Sequence, residues 1–142
     1  MGIAPGSAAP RLLVLFDADC GLCTRTAGAL LRLDRAGAAD GSRRLWLIPL
    51  QRAAAVAPDA PPEARLLEAL HVRTADGRWL AGGAAVLAIA DALPALGPLA
   101  RLGRLPLLRG LVEPAYSLVV THRDRLGRLL GADACRIRVA GR

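Results

Sequence analysis

The stretch Leu12–Cys23, LLVLFDADCGLC, decides the fold. Its first five residues, Leu12 to Phe16, are apolar without alternation, the pattern of a strand buried on both faces. Asp17 to Gly21 reads as a turn. From there Leu22, Ala27, Leu30, Leu31 and Leu33 approximate the apolar stripe of a helix that ends near Gly37. A fully buried strand running into a helix is the opening of an α/β domain, with this strand central and parallel to a neighbour.

Working outward, Leu45 to Leu50 is a second apolar run, and Pro49, which has no N–H for a ladder, marks its end. Pro58, Pro61 and Pro62 interrupt the chain, and Pro62 opens a helix over Glu63 to Leu70. Two short alternating runs, Leu70 to Thr74 and Arg78 to Leu80, flank Ala75-Asp76-Gly77, a strong hairpin signal. Gly82-Gly83 closes the hairpin, and Ala84 to Leu93 is a broadly apolar helix stopped by Pro94. The order is βαβαββα. Beyond it, Leu96 to Leu111 is leucine-rich and broken by Pro98, Gly103, Pro106 and Gly110, which predicts short helical pieces whose leucines cover one sheet face. The same stretch is the place to look for a partner or membrane-surface patch. A last helix is predicted over Tyr116 to Leu130, anchored by Tyr116 and stopped by Gly131. Residues 1–10, all small or apolar with two prolines, read as a loose tail. The remainder reads as one domain over 11–138, with a core at about 11–95 and a helical extension at about 96–131. Trp46 and Trp79 are expected to pack on the sheet.

Composition narrows the function classes. With 54% hydrophobic and 22% charged residues in 142, the chain has ample material for one core and is not disordered. All 19 cations are arginine, against nine Asp and three Glu, for a net charge of +7. That excess suggests nucleic acid, yet the arginines are scattered from Arg11 to Arg142, and the aromatics are only Phe16, Trp46, Trp79 and Tyr116. No basic run interleaved with stacking aromatics exists, so no nucleic-acid partner is expected. The most apolar window, Gly82 to Leu102, contains Asp91, Pro94, Pro98 and Arg101, which argues against an integral membrane segment. The N-terminus lacks the basic and apolar regions of a signal peptide, so the expected compartment is the cytoplasm, where thiols are kept reduced. Three cysteines in a chain this long make no disulfide scaffold.

The chemistry concentrates in FDADCGLC, Phe16 to Cys23. A C-x-x-C pair at the start of a helix puts Cys20 where unpaired N–H groups and the helix dipole favour a thiolate, which would lower its pKa. Cys20 is then the nucleophile and Cys23 the resolving thiol, attacking a mixed disulfide to leave Cys20–Cys23 oxidised. Asp17 and Asp19 act in two opposed ways. A carboxylate raises a nearby thiol pKa, and it can also accept the proton of Cys23 as that thiol attacks. Asp19 doubles as a candidate helix N-cap, leaving Asp17 the better functional carboxylate. Neither a cofactor nor a resident metal is called for. The partners implied are a protein or small-molecule thiol or disulfide and an electron donor of unknown identity.

These residues resemble a known family. The string Leu13 to Cys23, the later Val72-Arg-Thr-Ala-Asp-Gly-Arg-Trp79, the helix start Gly83-Ala-Ala-Val-Leu87 and the terminal Tyr116, Arg123 and Cys135 are similar to the DCC family of predicted thiol-disulfide oxidoreductases. The resemblance runs over roughly residues 11 to 138 and implies a thioredoxin-like fold with redox work by Cys20 and Cys23. One departure stands out. Thioredoxin-like enzymes carry a cis-proline immediately before the third strand, and here that position falls at Leu70-His71, with no proline. His71 is a candidate to fill the space, although a lone histidine at a strand start more commonly serves structure.

Rival readings use the same residues. A buried strand ending in Asp-x-Asp also opens haloacid-dehalogenase-type phosphatases, with Asp17 as nucleophile and Asp19 as general acid around Mg²⁺. That chemistry wants a lysine and a later acidic pair, and the sequence has neither. A non-catalytic reading is a structural Cys₃His site from Cys20, Cys23, Cys135 and His71 or His122, but Cys135 stands far from the close pair. The remaining alternative is an interaction domain with two reduced cysteines packed in its core.

Overall fold

The computed structural model describes residues 12–37 and 42–130. Strand β1 (Leu12–Phe16) lies inside a four-stranded mixed sheet, between β2 (Leu45–Pro49) and β3 (His71–Thr74), and β4 (Trp79–Ala81) follows β3 at the edge. The order is β2-β1-β3-β4. β1 runs parallel to β2, from Leu12 beside Leu45 to Phe16 beside Pro49, while β3 is antiparallel to both β1 and β4.

The unbroken apolar character of β1 follows from its two covered faces. Leu12 and Val14 enter one cluster with Leu45, Val72, Ala85 and Ile89, while Leu13 and Leu15 enter another with Leu50, Ala53, Ala57 and Leu66. Helix α1 (Gly21–Gly37) supplies Leu30 and Leu33 to the first cluster, and α4 (Gly83–Ala92) supplies Ala85 and Ile89. On the opposite face, α2 (Ala53–Val56) supplies Ala53 and α3 (Glu63–Glu68) supplies Leu66. The result is three layers, with helices on both sides of the sheet.

A buried carboxylate sets the start of β2. Asp34 of α1 is 1% exposed, and its two oxygens accept the backbone N–H groups of Arg44 at 3.1 and 3.2 Å and of Leu45 at 3.1 Å. No buried side-chain polar atom among the described residues lacks a partner, so this charge is compensated by donors the loop cannot otherwise satisfy.

Several sequence expectations shift at their boundaries. The helix predicted over Glu63 to Leu70 stops at Glu68, because Ala69 is extended, with φ −156° and ψ 162°, and the Leu70 N–H is taken by the Tyr116 hydroxyl. Asp-Gly does make the hairpin, with Gly77 at φ +88°, a conformation that favours glycine. Trp79 is half-buried and donates its indole N–H to Asp59 at 3.1 Å. Trp46, expected to pack on the sheet, is 45% exposed because β2 is an edge strand.

The C-terminal extension departs further. After α5 (Gly97–Gly103) comes one continuous helix, α6 (Pro106–Thr121), which runs through Gly110 and Pro114 before the chain breaks at His122 and resumes as α7 (Arg123–Leu129). The predicted helix over Tyr116 to Leu130 is therefore split, and its first half belongs to a longer element. Pro114 removes one helical hydrogen bond, a cost of about 3 kcal/mol in a helix interior, which tertiary contacts on either side oppose. Glu113 accepts the Gly83 N–H at 2.7 Å, satisfying an orphan donor at the start of α4, and Tyr116 binds Leu70. Gly82 and Gly83 make this approach possible. Gly82 has φ +61°, and a Cβ on Gly83 would meet Glu113 Oε2 at 2.6 Å. The leucines of this extension do not form the expected cover over a sheet face, since Leu99, Leu102, Leu105, Leu107 and Leu111 are all about half exposed or more.

Asp34→Ala should lower unfolding free energy by about 2–4 kcal/mol, since the backbone N–H groups of Arg44 and Leu45 both lose their acceptor. Glu113→Ala should cost only about 1 kcal/mol, the scale of a lost helix cap. Urea denaturation of the two variants beside wild type checks the ordering.

Candidate functional site

The site forms where β1 ends. Its last residue, Phe16, pairs with Pro49, so the residues just past β1 and β2 lie side by side at the carboxyl edge of two parallel strands, where open α/β sheets place their sites. Asp17 turns the chain: its carboxylate accepts the Asp19 N–H at 2.9 Å, and its carbonyl accepts the Cys20 N–H at 3.3 Å. This turn delivers Cys20 to the position immediately before α1.

Cys20, and not Asp19, caps the helix. The Cys20 carbonyl accepts the Thr24 N–H at 3.0 Å, and its Sγ accepts the Cys23 N–H at 3.3 Å, the bond that a Ser or Asp oxygen makes at a typical N-cap. The N-cap expected of Asp19 is overturned by that geometry. Its carboxylate turns outward and accepts from the Gln51 side-chain amide at 3.3 Å. The same Gln51 nitrogen donates to Asp17 at 3.1 Å, so one amide bridges both carboxylates. Gln51 escaped the sequence reading. Its only signal is position, two residues after the strand-ending Pro49.

The Cys23 thiol donates to Cys20 Sγ at 2.6 Å, and both cysteines are free and half-buried. Burial first, then the hydrogen bond to Cys20 and the negative charges of Cys20 and Asp17, push the Cys23 thiol up to about 12, against a smaller opposing pull from Arg123. Cys23 is therefore a thiol at neutral pH and needs a proton acceptor before it can attack.

A cavity of about 460 Å³ opens beside Cys23. Its walls are apolar, with Leu15 and Phe16 from β1, Leu22 and Leu30 from α1 and Val112 and Val119 from α6 among them. Asp17, Cys23, Tyr116 and Arg123 are among the few polar side chains that reach it. The Tyr116 hydroxyl accepts the Leu70 N–H at 2.5 Å, and burial pushes the Tyr116 phenol above its ordinary value. That bond occupies the very place where the sequence reading noted a missing proline. Leu70 keeps an N–H that proline would lack, and α6 uses it as an anchor. The described residues contain no cis peptide bond. His71 does not reach the cavity; it is 8% exposed, and its Nδ1 lies 2.8 Å from the Ala69 carbonyl oxygen.

A scan against protein-family models matches residues 14–129 to the DCC1-like thiol-disulfide oxidoreductase family. The chain belongs to that family. Among curated proteins and solved structures, none matches it. The family match spans the dithiol, the Gln51 bridge and the Tyr116 anchor together. No three His, Cys, Asp or Glu side chains converge on a metal-sized site among the described residues. Cys135 lies outside the described residues.

Two consequences can be measured. In a Cys20→Ser background, alkylation of Cys23 should have its midpoint above the ordinary thiol value of 9.0, and Asp17→Asn should move it down by removing a like charge. Arg123→Gln should move it up. Tyr116→Phe should cost about 1–3 kcal/mol of stability, because the Leu70 N–H keeps its burial and loses its acceptor; thermal or urea melts read this directly.

Proposed function

We propose that this DCC1-like chain is a thioredoxin-like enzyme that exchanges disulfides through Cys20 and Cys23. The observation that carries the reading is the contact of the two sulfurs at 2.6 Å, with Cys20 Sγ at the head of α1 and facing the Cys23 N–H. Support for the fold comes from the element order, a βαβαββα in which two short helices, α2 and α3, take the second helical place, from the strand order β2-β1-β3-β4 and from β3 as the lone antiparallel strand. The reading takes residues 11–138 as one domain. Such a resting dithiol suits the cytoplasm. Among the described residues no single helix is long and apolar enough to cross a membrane.

In this cycle the Cys20 thiolate attacks one sulfur of a substrate disulfide. The S–S bond breaks, the leaving sulfur departs as thiolate and takes a proton, and Cys20 is left in a mixed disulfide. Cys23 then attacks Cys20 Sγ. Its proton passes to the Asp17 carboxylate, the second substrate sulfur leaves and is protonated, and a Cys20–Cys23 disulfide remains. Two electrons have moved from the dithiol to the substrate; run backwards, the same steps oxidise a substrate dithiol. Asp17 is suited to the proton transfer because it lines the same cavity as Cys23, held by the Asp19 N–H and by Gln51. It both raises Cys23 and stands ready to take its proton. Asp19 has the supporting part, completing the Gln51 bridge. The substrates are thiols or disulfides, and the apolar cavity favours those carrying an apolar group beside the sulfur.

Cys23→Ser should trap a stable glutathione adduct on Cys20 when mixed with oxidised glutathione, and Cys20→Ser should not. Asp17→Asn should slow the resolving step by about 10²–10⁴-fold, the usual contribution of a positioned base, while leaving the first attack intact. Adduct formation on Cys23 in preference to Cys20 would reverse the assigned roles.

A further inference from the structure

Helix α6 is apolar on two opposite sides, and only one of them is used inside the fold. Its inner side lines the cavity with Val112, Tyr116 and Val120. On the outer side, Leu107, Leu111 and Leu118 fall within an arc of about 40° at 3.6 residues per turn, and they are 82%, 58% and 61% exposed. None of these three lines the cavity. Neighbouring elements extend the exposure: Leu99 and Leu102 on α5 are each about half exposed, as is Leu105 in the linker. On α7, Leu129 is 82% exposed, and Arg125 shares its helical face at i−4.

This apolar surface is set among cations. From residue 97 to 130 the chain carries six arginines, Arg101, Arg104, Arg109, Arg123, Arg125 and Arg128, against only Glu113 and Asp124. Glu113 is occupied by the Gly83 N–H. Arg101, Arg109, Arg125 and Arg128 are exposed, and Arg104 is paired with Asp91 at 2.9 Å. Arg109 lies on the far side of α6 from the three leucines at 3.6 residues per turn, so the exposed cations available to this face are those of α5 and α7; an exposed leucine face in so basic a segment suits a surface that is apolar within and anionic at its edge.

We propose that the outer face of α6, with the adjoining parts of α5 and α7, docks on the surface of a bilayer containing anionic lipid. The leucines enter the boundary between headgroups and acyl chains, and the arginines meet the phosphates while their stems lie along the apolar layer. A second copy of the chain is the poorer occupant. Packing this segment against itself would bring two surfaces of the same positive sign together. Docking is peripheral: α4, the apolar helix preceding α5, is committed to the core through Ala85, Ile89 and Ala90. The inner side of the same helix walls the cavity beside Cys23, so the dithiol would sit one helix diameter from the bilayer.

Flotation of the full chain with vesicles tests this in physiological salt, using equal parts phosphatidylglycerol and phosphatidylcholine and, in parallel, phosphatidylcholine alone. Wild type should float with the anionic vesicles and stay behind with the neutral ones. Leu107→Ser/Leu111→Ser/Leu118→Ser should weaken partitioning at least about tenfold, and so should Arg101→Gln/Arg125→Gln/Arg128→Gln. Both variants should retain wild-type thiol exchange in vesicle-free buffer, which separates loss of docking from loss of fold or of redox chemistry. Wild type that fails to float, or a leucine variant that floats as wild type does, overturns the proposal. So does a wild-type dimer in light scattering that the leucine variant converts to a monomer, since the second copy would then own the face.

Discussion

One hydrogen bond organises this molecule's chemistry: the Cys23 N–H reaching back to Cys20 Sγ at the first turn of α1. It exists because β1 is too apolar to end anywhere except at Phe16, and because the Asp17 turn then carries the chain across the strand end in three residues. Had an oxygen-bearing side chain supplied the cap, the helix would begin in the same way without placing a sulfur at its head. With cysteine there, the cap residue is also the reactive group, and the second cysteine falls on the donor that satisfies it. Local helix geometry thus brings the two sulfurs together, without any long-range contact to hold them.

Long-range contacts act instead on the surroundings of Cys23. Burial holds its proton, Asp17 reinforces that hold, and Arg123 from the start of α7 weakens it. One side of the cavity wall comes from the C-terminal extension, which two polar latches fasten to the core: Glu113 at the start of α4 and Tyr116 at Leu70. The extension is therefore part of the site's architecture. In a proline-bearing relative of this topology the Leu70 position would have no N–H to offer, so the tyrosine anchor and the absence of proline are two sides of one arrangement.

Much of the sheet was legible because burial leaves a strong mark on composition. A five-residue apolar run can only be a strand covered on both faces or a piece of buried helix, and the polar turn right after Phe16 decides between them. Asp-Gly located the hairpin, and the cysteine spacing located the dithiol. The bridge through Gln51 was not legible, since it depends on β1 and β2 being parallel neighbours in a register that brings Pro49 beside Phe16. Asp34 was missed for a similar reason: a helix carboxylate looks solvent-facing until the loop folds back to place two N–H groups on it. The extension misled because Gly110 and Pro114 oppose helix locally, and the contacts of Glu113 and Tyr116 outweigh them. Its leucines looked like core by composition alone, yet Leu107 and Leu129 are each 82% exposed.

The central claim is that Cys20 and Cys23 form a reversible redox pair. It is tested most directly by equilibrating the purified chain across a series of glutathione ratios, quenching in acid and reading intact mass with peptide mapping. The account predicts two interconverting species that differ by two hydrogens, with the oxidised form linking Cys20 to Cys23. A chain that retains both free thiols at every ratio, or that accumulates only glutathione adducts, would contradict it.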